Sequence, residues 1–169
     1  MEKKFRVIDG GLQKSFIVKK INILAAPRQY PPKKMDALVF EEDAFLIMSD
    51  EPKHVPPPIH PVRLMHEMAG FIPEIPGSVV VKGKNPIRML AVVHDVSLDP
   101  TWKEEWIEKA IHAVFQKAEM LKINTLGLPL LGTKHGKLDH QRFIELLAHN
   151  LKSCEFKFLR LLWLITPVP

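Results

Sequence analysis

NTLGLPLLGTKHGKLDHQRFIELLAHNLKS, residues 124–153, changes periodicity halfway along. Thr125–Leu130 is a short apolar run of strand length, GTKHGK (132–137) is polar and glycine-bearing, and a helix follows from about Asp139 to Leu151. Asp139 can cap that helix, and Phe143, Ile144, Leu147 and Leu151 fall on one face. A loop between a strand and a helix start is a natural anion site, because free N–H groups and the positive end of the helix point outward. Gly132 and Gly136 allow close backbone approach, Thr133 adds a hydroxyl, and Lys134, His135 and Lys137 add positive or potentially positive charge. The GxxxxGK[ST] spacing of a Walker loop is absent, as is a dinucleotide fingerprint. Two glycines also serve an ordinary tight turn.

Outward from this unit, strands and helices alternate. Phe5–Asp9 and Ser15–Leu24 read as strands around Gly10-Gly11, and residues 35–40 as a buried strand. Residues 50–61 hold five prolines and read as a stiff loop, since proline lacks the N–H that helix and sheet require. Val62–Ala69 reads as a short helix ended by Gly70. Ser78–Lys82 and Arg88–Asp95 are expected as strands buried on both faces, joined by a turn at 83–86. Thr101–Lys122 is the clearest helix, with Thr101 and Glu104 forming a capping box and Trp102, Trp106, Ile107, Ile111 and Phe115 on its apolar face. Phe158–Ile165 is the last strand. Alternation of this kind predicts a mostly parallel sheet covered by helices, with ligands beyond the carboxyl ends of its strands.

The composition is that of an ordinary globular domain, with 46% hydrophobic and 25% charged residues. No apolar run reaches membrane-span length, and the start MEKKFRVIDGG lacks the apolar segment of a signal peptide. The lone cysteine, Cys154, fits a reducing cytoplasm and reads as a small apolar residue at a helix end. Residues 1–34 carry nine basic side chains against Glu2 and Asp9, a local +7 within a total of +5. No aromatic residues interleave with them as stacking platforms, so they read as a solvated edge, and no nucleic acid partner is expected. Glu41, Glu42, Asp43, Ser49 and Asp50 lack calcium-loop spacing and read as a solvated loop. His54, His60, His66 and His94 lack zinc spacing, and His94 reads as structural, with acid/base work as the alternative. No metal or cofactor is expected.

The quoted stretch resembles the second ligand loop of macro (ADP-ribose-binding) domains, with Pro129, Leu131, Gly132, Thr133, Gly136 and Leu138 in the matching places. MDALV (35–39) is similar to that family's VDAIV strand, MHEMAG (65–70) to its IHRAAG helix end, and GSVVVKGKNPIRMLAVVHDV (77–96) to its strand pair ending in histidine. The four stand in the family's order. The resemblance implies one α/β domain over 1–169, a three-layer sandwich whose mixed, mostly parallel central sheet is flanked by helices. A basic amino-terminal strand region (1–14) and a proline-rich insertion (50–61) are appended to it.

The resemblance also implies an ADP-ribose-like or other phosphorylated small-molecule ligand, held by Asn22, Leu131, Gly132, Thr133, Lys134, His135, Gly136 and Lys137. Asn22 stands where family members carry an aspartate that reads the adenine amino group. The departures bear on activity. Phe40-Glu41-Glu42-Asp43 replaces the family's NAAN, Pro58, Ile59 and His60 stand where a triple-glycine phosphate loop is usual, and Lys134 and Lys137 replace glycines. The acids would repel a diphosphate and the prolines remove N–H donors. The expectation is binding without the usual hydrolase activity. A hydrolase with a rebuilt acidic site and a ligand-free interaction module are the alternatives.

Overall fold

The computed structural model describes residues 6–7, 14–48, 70 and 72–167. The elements run β1 (Arg6–Val7), β2 (Lys14–Val18), β3 (Ile21–Pro27), β4 (Ala37–Asp43), β5 (Val79–Lys82), β6 (Ile87–His94), α1 (Glu104–Met120), β7 (Thr125–Pro129), α2 (His140–Ser153) and β8 (Leu161–Thr166). They form one eight-stranded sheet in the order β1-β2-β3-β8-β7-β4-β6-β5. The five inner strands β3, β8, β7, β4 and β6 are parallel, and antiparallel strands extend both edges.

Alternation along the inner strands sends Ile23, Val39, Met89, Leu126 and Leu162 to one face. There they meet Ile107, Ile111 and Phe115 of α1 and Phe143, Leu147 and Leu151 of α2 in one buried cluster. Each such side chain contributes about 1.5–3 kcal/mol by leaving water. On the other face Leu24, Ala26, Met35, Leu161 and Trp163 form a smaller cluster, and the Trp163 indole donates to the Ala26 carbonyl at 3.0 Å. The helix expected over Val62–Ala69 and the proline-rich segment 50–61 lie outside the described residues. No helix among the described residues is long and apolar enough to cross a membrane.

Several boundaries differ from the sequence reading. Ser15–Leu24 is two antiparallel strands, because Lys19 adopts φ 54° and turns the chain back, pairing Val18 with Ile21. Strand β4 continues through Glu41, Glu42 and Asp43, which are strand residues rather than a solvated loop; Glu42 and Asp43 are fully buried. Ser49 and Asp50 lie outside the described residues. Strand β5 is half exposed, since it is an edge strand bonded to β6 alone.

Helix α1 starts at Glu104, and the Thr101–Glu104 capping box does not form. Trp102 instead makes an antiparallel bridge to His94, and the Thr101 carbonyl accepts from Asp95 N at 2.7 Å. Strand β8 begins three residues later than Phe158, because the Glu119 carboxylate holds the amides of Lys157, Phe158 and Leu159 at 2.7–3.2 Å. Asp139 does cap α2, accepting from Gln141 N at 2.9 Å and Arg142 N at 3.3 Å.

Candidate functional site

The carboxyl ends of the parallel strands bring together β4, β6 and the loop after β7. Residues 37, 39 and 41 share a face of β4, so Glu41 leaves the core cluster and meets the start of that loop. Its Oε2 accepts from Gly132 N at 3.1 Å, while Oε1 bonds His94 Nε2. The Glu41 and His94 side chains are only 10% and 3% exposed, so this contact is shielded from water. The His135 ring stands edge-on to that of His94, 6.3 Å between centroids.

Glu42 and Asp43 are engaged elsewhere. Glu42 Oε1 accepts from Asp43 N at 3.1 Å and Met48 N at 2.6 Å, and Asp43 accepts from Phe45 N at 2.6 Å and Ile47 N at 3.2 Å. These carboxylates hold the turn after β4, which is why they are buried. Of the three acids, Glu41 alone faces the glycine loop.

Both glycines of that loop are fixed by packing. Gly132 has φ 77°, and a Cβ there would lie 2.2 Å from Ile107 Cδ1. A Cβ on Gly136 would lie 2.5 Å from the Gly132 carbonyl and 3.1 Å from the Trp102 ring. Leu131 is fully buried, and the Thr133 hydroxyl donates to the Leu130 carbonyl at 2.7 Å.

The expected anion nest is therefore partly filled from within. Glu41 takes the Gly132 amide, and Asp139 takes amides at the start of α2. What remains is Lys134–Lys137. Lys134, His135 and Lys137 are exposed, and among the described residues the amides of 134–137 donate to no other group. A mobile anion can use these four N–H groups and the cationic side chains beside them.

The structure brings residues 131–137 together and leaves Asn22 apart. Asn22 is exposed at the start of β3, level with Leu161 at the start of β8, which is itself level with Thr125 at the start of β7. The glycine loop lies past the opposite end of β7. Sequence reasoning missed the contact between Glu41 and Gly132. Its only trace was a carboxylate two residues beyond Val39 on the same face.

Cys154 caps the end of α2, with its sulfur 3.4 Å from His112 Nδ1. Burial pushes the thiol above its ordinary range, which disfavours the thiolate. Among the described residues no cluster of three or more His, Cys, Asp or Glu could hold a metal ion.

This sheet order and glycine loop define a macrodomain fold. Among solved structures, the macrodomain of Thermus aquaticus DarG matches with a TM-score of 0.60 at 15% identity, covering 86% of this chain and 98% of that one. The Oceanobacillus iheyensis macrodomain with ADP matches with a TM-score of 0.65 at 10% identity, covering 90% and 87%. A mutant of the latter with ADPR matches at 0.64 and 10%, covering 90% and 89%. No protein-family profile matches the chain, and no curated protein matches its sequence. Identity this low establishes the shared fold; function has to come from the site.

Proposed function

We propose that the chain is a binding module for a nucleotide or another phosphorylated small molecule of the ADP-ribose class, held at the carboxyl edge of the sheet by residues 133–137. The observation that carries this reading is the loop itself: four uncommitted amides, two exposed lysines and an exposed histidine at the strand ends. The presence of ADP or ADPR in a macrodomain of the same fold supports the ligand class. Glu41 restricts it. Because its carboxylate already holds Gly132 N, the phosphate contacts come from 134–137 rather than from the first glycine. Asn22, exposed at the opposite ends of the strands, is not assigned to this ligand.

The test is a thermal-shift and calorimetric titration with ADP-ribose, ADP and AMP. A ligand that binds only the folded state raises stability by about 2.7 kcal/mol at a hundredfold excess over Kd. Reversing charge in Lys134→Glu/Lys137→Glu should weaken the affinity about tenfold or more. The reading fails if none of the three stabilises the wild-type protein at millimolar concentration.

One observation favours a second reading, hydrolysis: the shielded Glu41–His94 contact with His135 beside it is an arrangement suited to proton transfer. Turnover of an ADP-ribosylated substrate that stops in both Glu41→Gln and His94→Ala would support it. Binding with no turnover would leave the module reading in place.

A further inference from the structure

The opposite pole of the sheet has its own concentration of positive charge. The amino-terminal ends of β4, β6 and β7 surround a cavity of about 620 Å³. This is within the roughly 300–1,000 Å³ range of small-molecule sites. Lys33 and Lys34 reach it from the segment before β4, Lys84 from the β5–β6 turn, and Lys122 from the end of α1. Asn85 and Asn124 add amide groups to its lining.

The one carboxylate in the lining, Asp36, is already committed. Its Oδ2 accepts from Asn124 N and Thr125 N, both at 3.0 Å, which ties β4 to β7. Among the described residues, Lys33, Lys34 and Lys84 have no carboxylate partner. Nor do the lysines serve as caps for α1. The carbonyls of Lys117, Ala118 and Glu119 accept from the backbone amides of Leu121, Ile123 and Lys122. Lys19 shows the contrasting case: its Nζ donates to the Lys152 and Cys154 carbonyls at the end of α2, a structural duty. A concave surface lined mainly by one sign of charge focuses the field and gathers counter-ions, and here the lysines outnumber the single, hydrogen-bonded Asp36.

We infer that this pole is a second ligand site, separate from the glycine loop, for a small molecule carrying two or more linked phosphates. Lysine is suited to the task as a flexible point charge that can meet several phosphates at once. Lys33, Lys34 and Lys84, from two separate segments, match a multiply charged ligand rather than a single phosphate, whereas the Lys122 ammonium lies 5.9 Å over the Phe158 ring.

The test uses inorganic tripolyphosphate on the full chain in which Lys134→Glu/Lys137→Glu has already disabled the glycine loop. Calorimetry should still show tripolyphosphate binding, weaker for pyrophosphate and weakest for monophosphate, and weakening with salt. Adding Lys34→Glu/Lys84→Glu should reduce affinity about tenfold or more. Lys34→Met/Lys84→Met, which removes charge without reversing it, should give a smaller loss in the same direction. All these lysines are exposed, so an unchanged circular dichroism spectrum confirms folding. The inference is overturned if the loop-disabled protein does not bind tripolyphosphate, or if the added substitutions leave its affinity unchanged. It is equally overturned if a single-stranded oligonucleotide depends on Lys34 and Lys84 while tripolyphosphate does not.

Discussion

Glu41 satisfies a backbone donor and a histidine with one carboxylate, and that double contact shapes the loop beside it. Glu41→Ala would leave Gly132 N and His94 without their partner in a shielded place. A loss of about 1–3 kcal/mol in urea unfolding is expected, and a loss below about 0.5 kcal/mol would show that the contact contributes little. Glu41→Gln keeps an acceptor for Gly132 N and removes the negative charge, so it should destabilise less. Gly132 makes a different point. Its positive φ and the nearness of Ile107 mean that even Gly132→Ala forces both backbone strain and overpacking, costing about 2 kcal/mol or more. A bulky residue there would report on folding rather than binding, which leaves Lys134 and Lys137 as the informative positions. That distinction was not legible in the sequence: GTKHGK shows two glycines and several donors, while their neighbours come from β4 and α1, far away in the chain.

At the scale of the element, α2 was almost fully legible because its signals are local. Asp139 caps it, and Phe143, Leu147 and Leu151 recur at helical spacing. Asp139→Ala should cost about 1 kcal/mol by freeing the amides of Gln141 and Arg142, measurable as a lower urea midpoint. Helix α1 was legible in its face and misread at its start, because pairing of Trp102 with His94 competes with the cap and is a tertiary event.

The two helices are joined by Arg142, which holds Glu104 through both carboxylate oxygens at 2.7–3.2 Å. The hydrogen bond from Arg142 lowers the Glu104 pKa below its ordinary 4.5. A carboxylate depressed by folding stabilises the folded state fully above that ordinary value and loses the effect as pH falls through its lowered folded value. The stability difference between wild type and Arg142→Ala should therefore shrink below about pH 4.5, and shrink in high salt at pH 7, since the pair is exposed. Urea midpoints at pH 7 and pH 3 would decide it; an equal difference at both would remove the ion pair as its cause.

For the whole molecule, alternation of apolar runs was enough to read a mostly parallel sheet, because the period of each run depends on residues near it. The placement of charge at the two ends of that sheet was less legible. Lys33, Lys84 and Lys122 are scattered along the chain and meet only through strand order. Their pole and the glycine loop are separated by the length of β7, five residues or about 16 Å, which is twice the roughly 8 Å Debye length at physiological salt. The strands between them, β4 and β7, are largely buried and each is paired with a neighbour on both sides. Ligands at the two poles should then bind almost independently, because coupling requires differential interaction with two states. Titrating tripolyphosphate into wild-type protein saturated with ADP-ribose should give the pole affinity found in the loop-disabled variant, within about twofold, a coupling below roughly 0.5 kcal/mol. A tenfold loss under saturating ADP-ribose would mean that the two ligands compete for one site, and the charge at the amino-terminal pole would need another explanation.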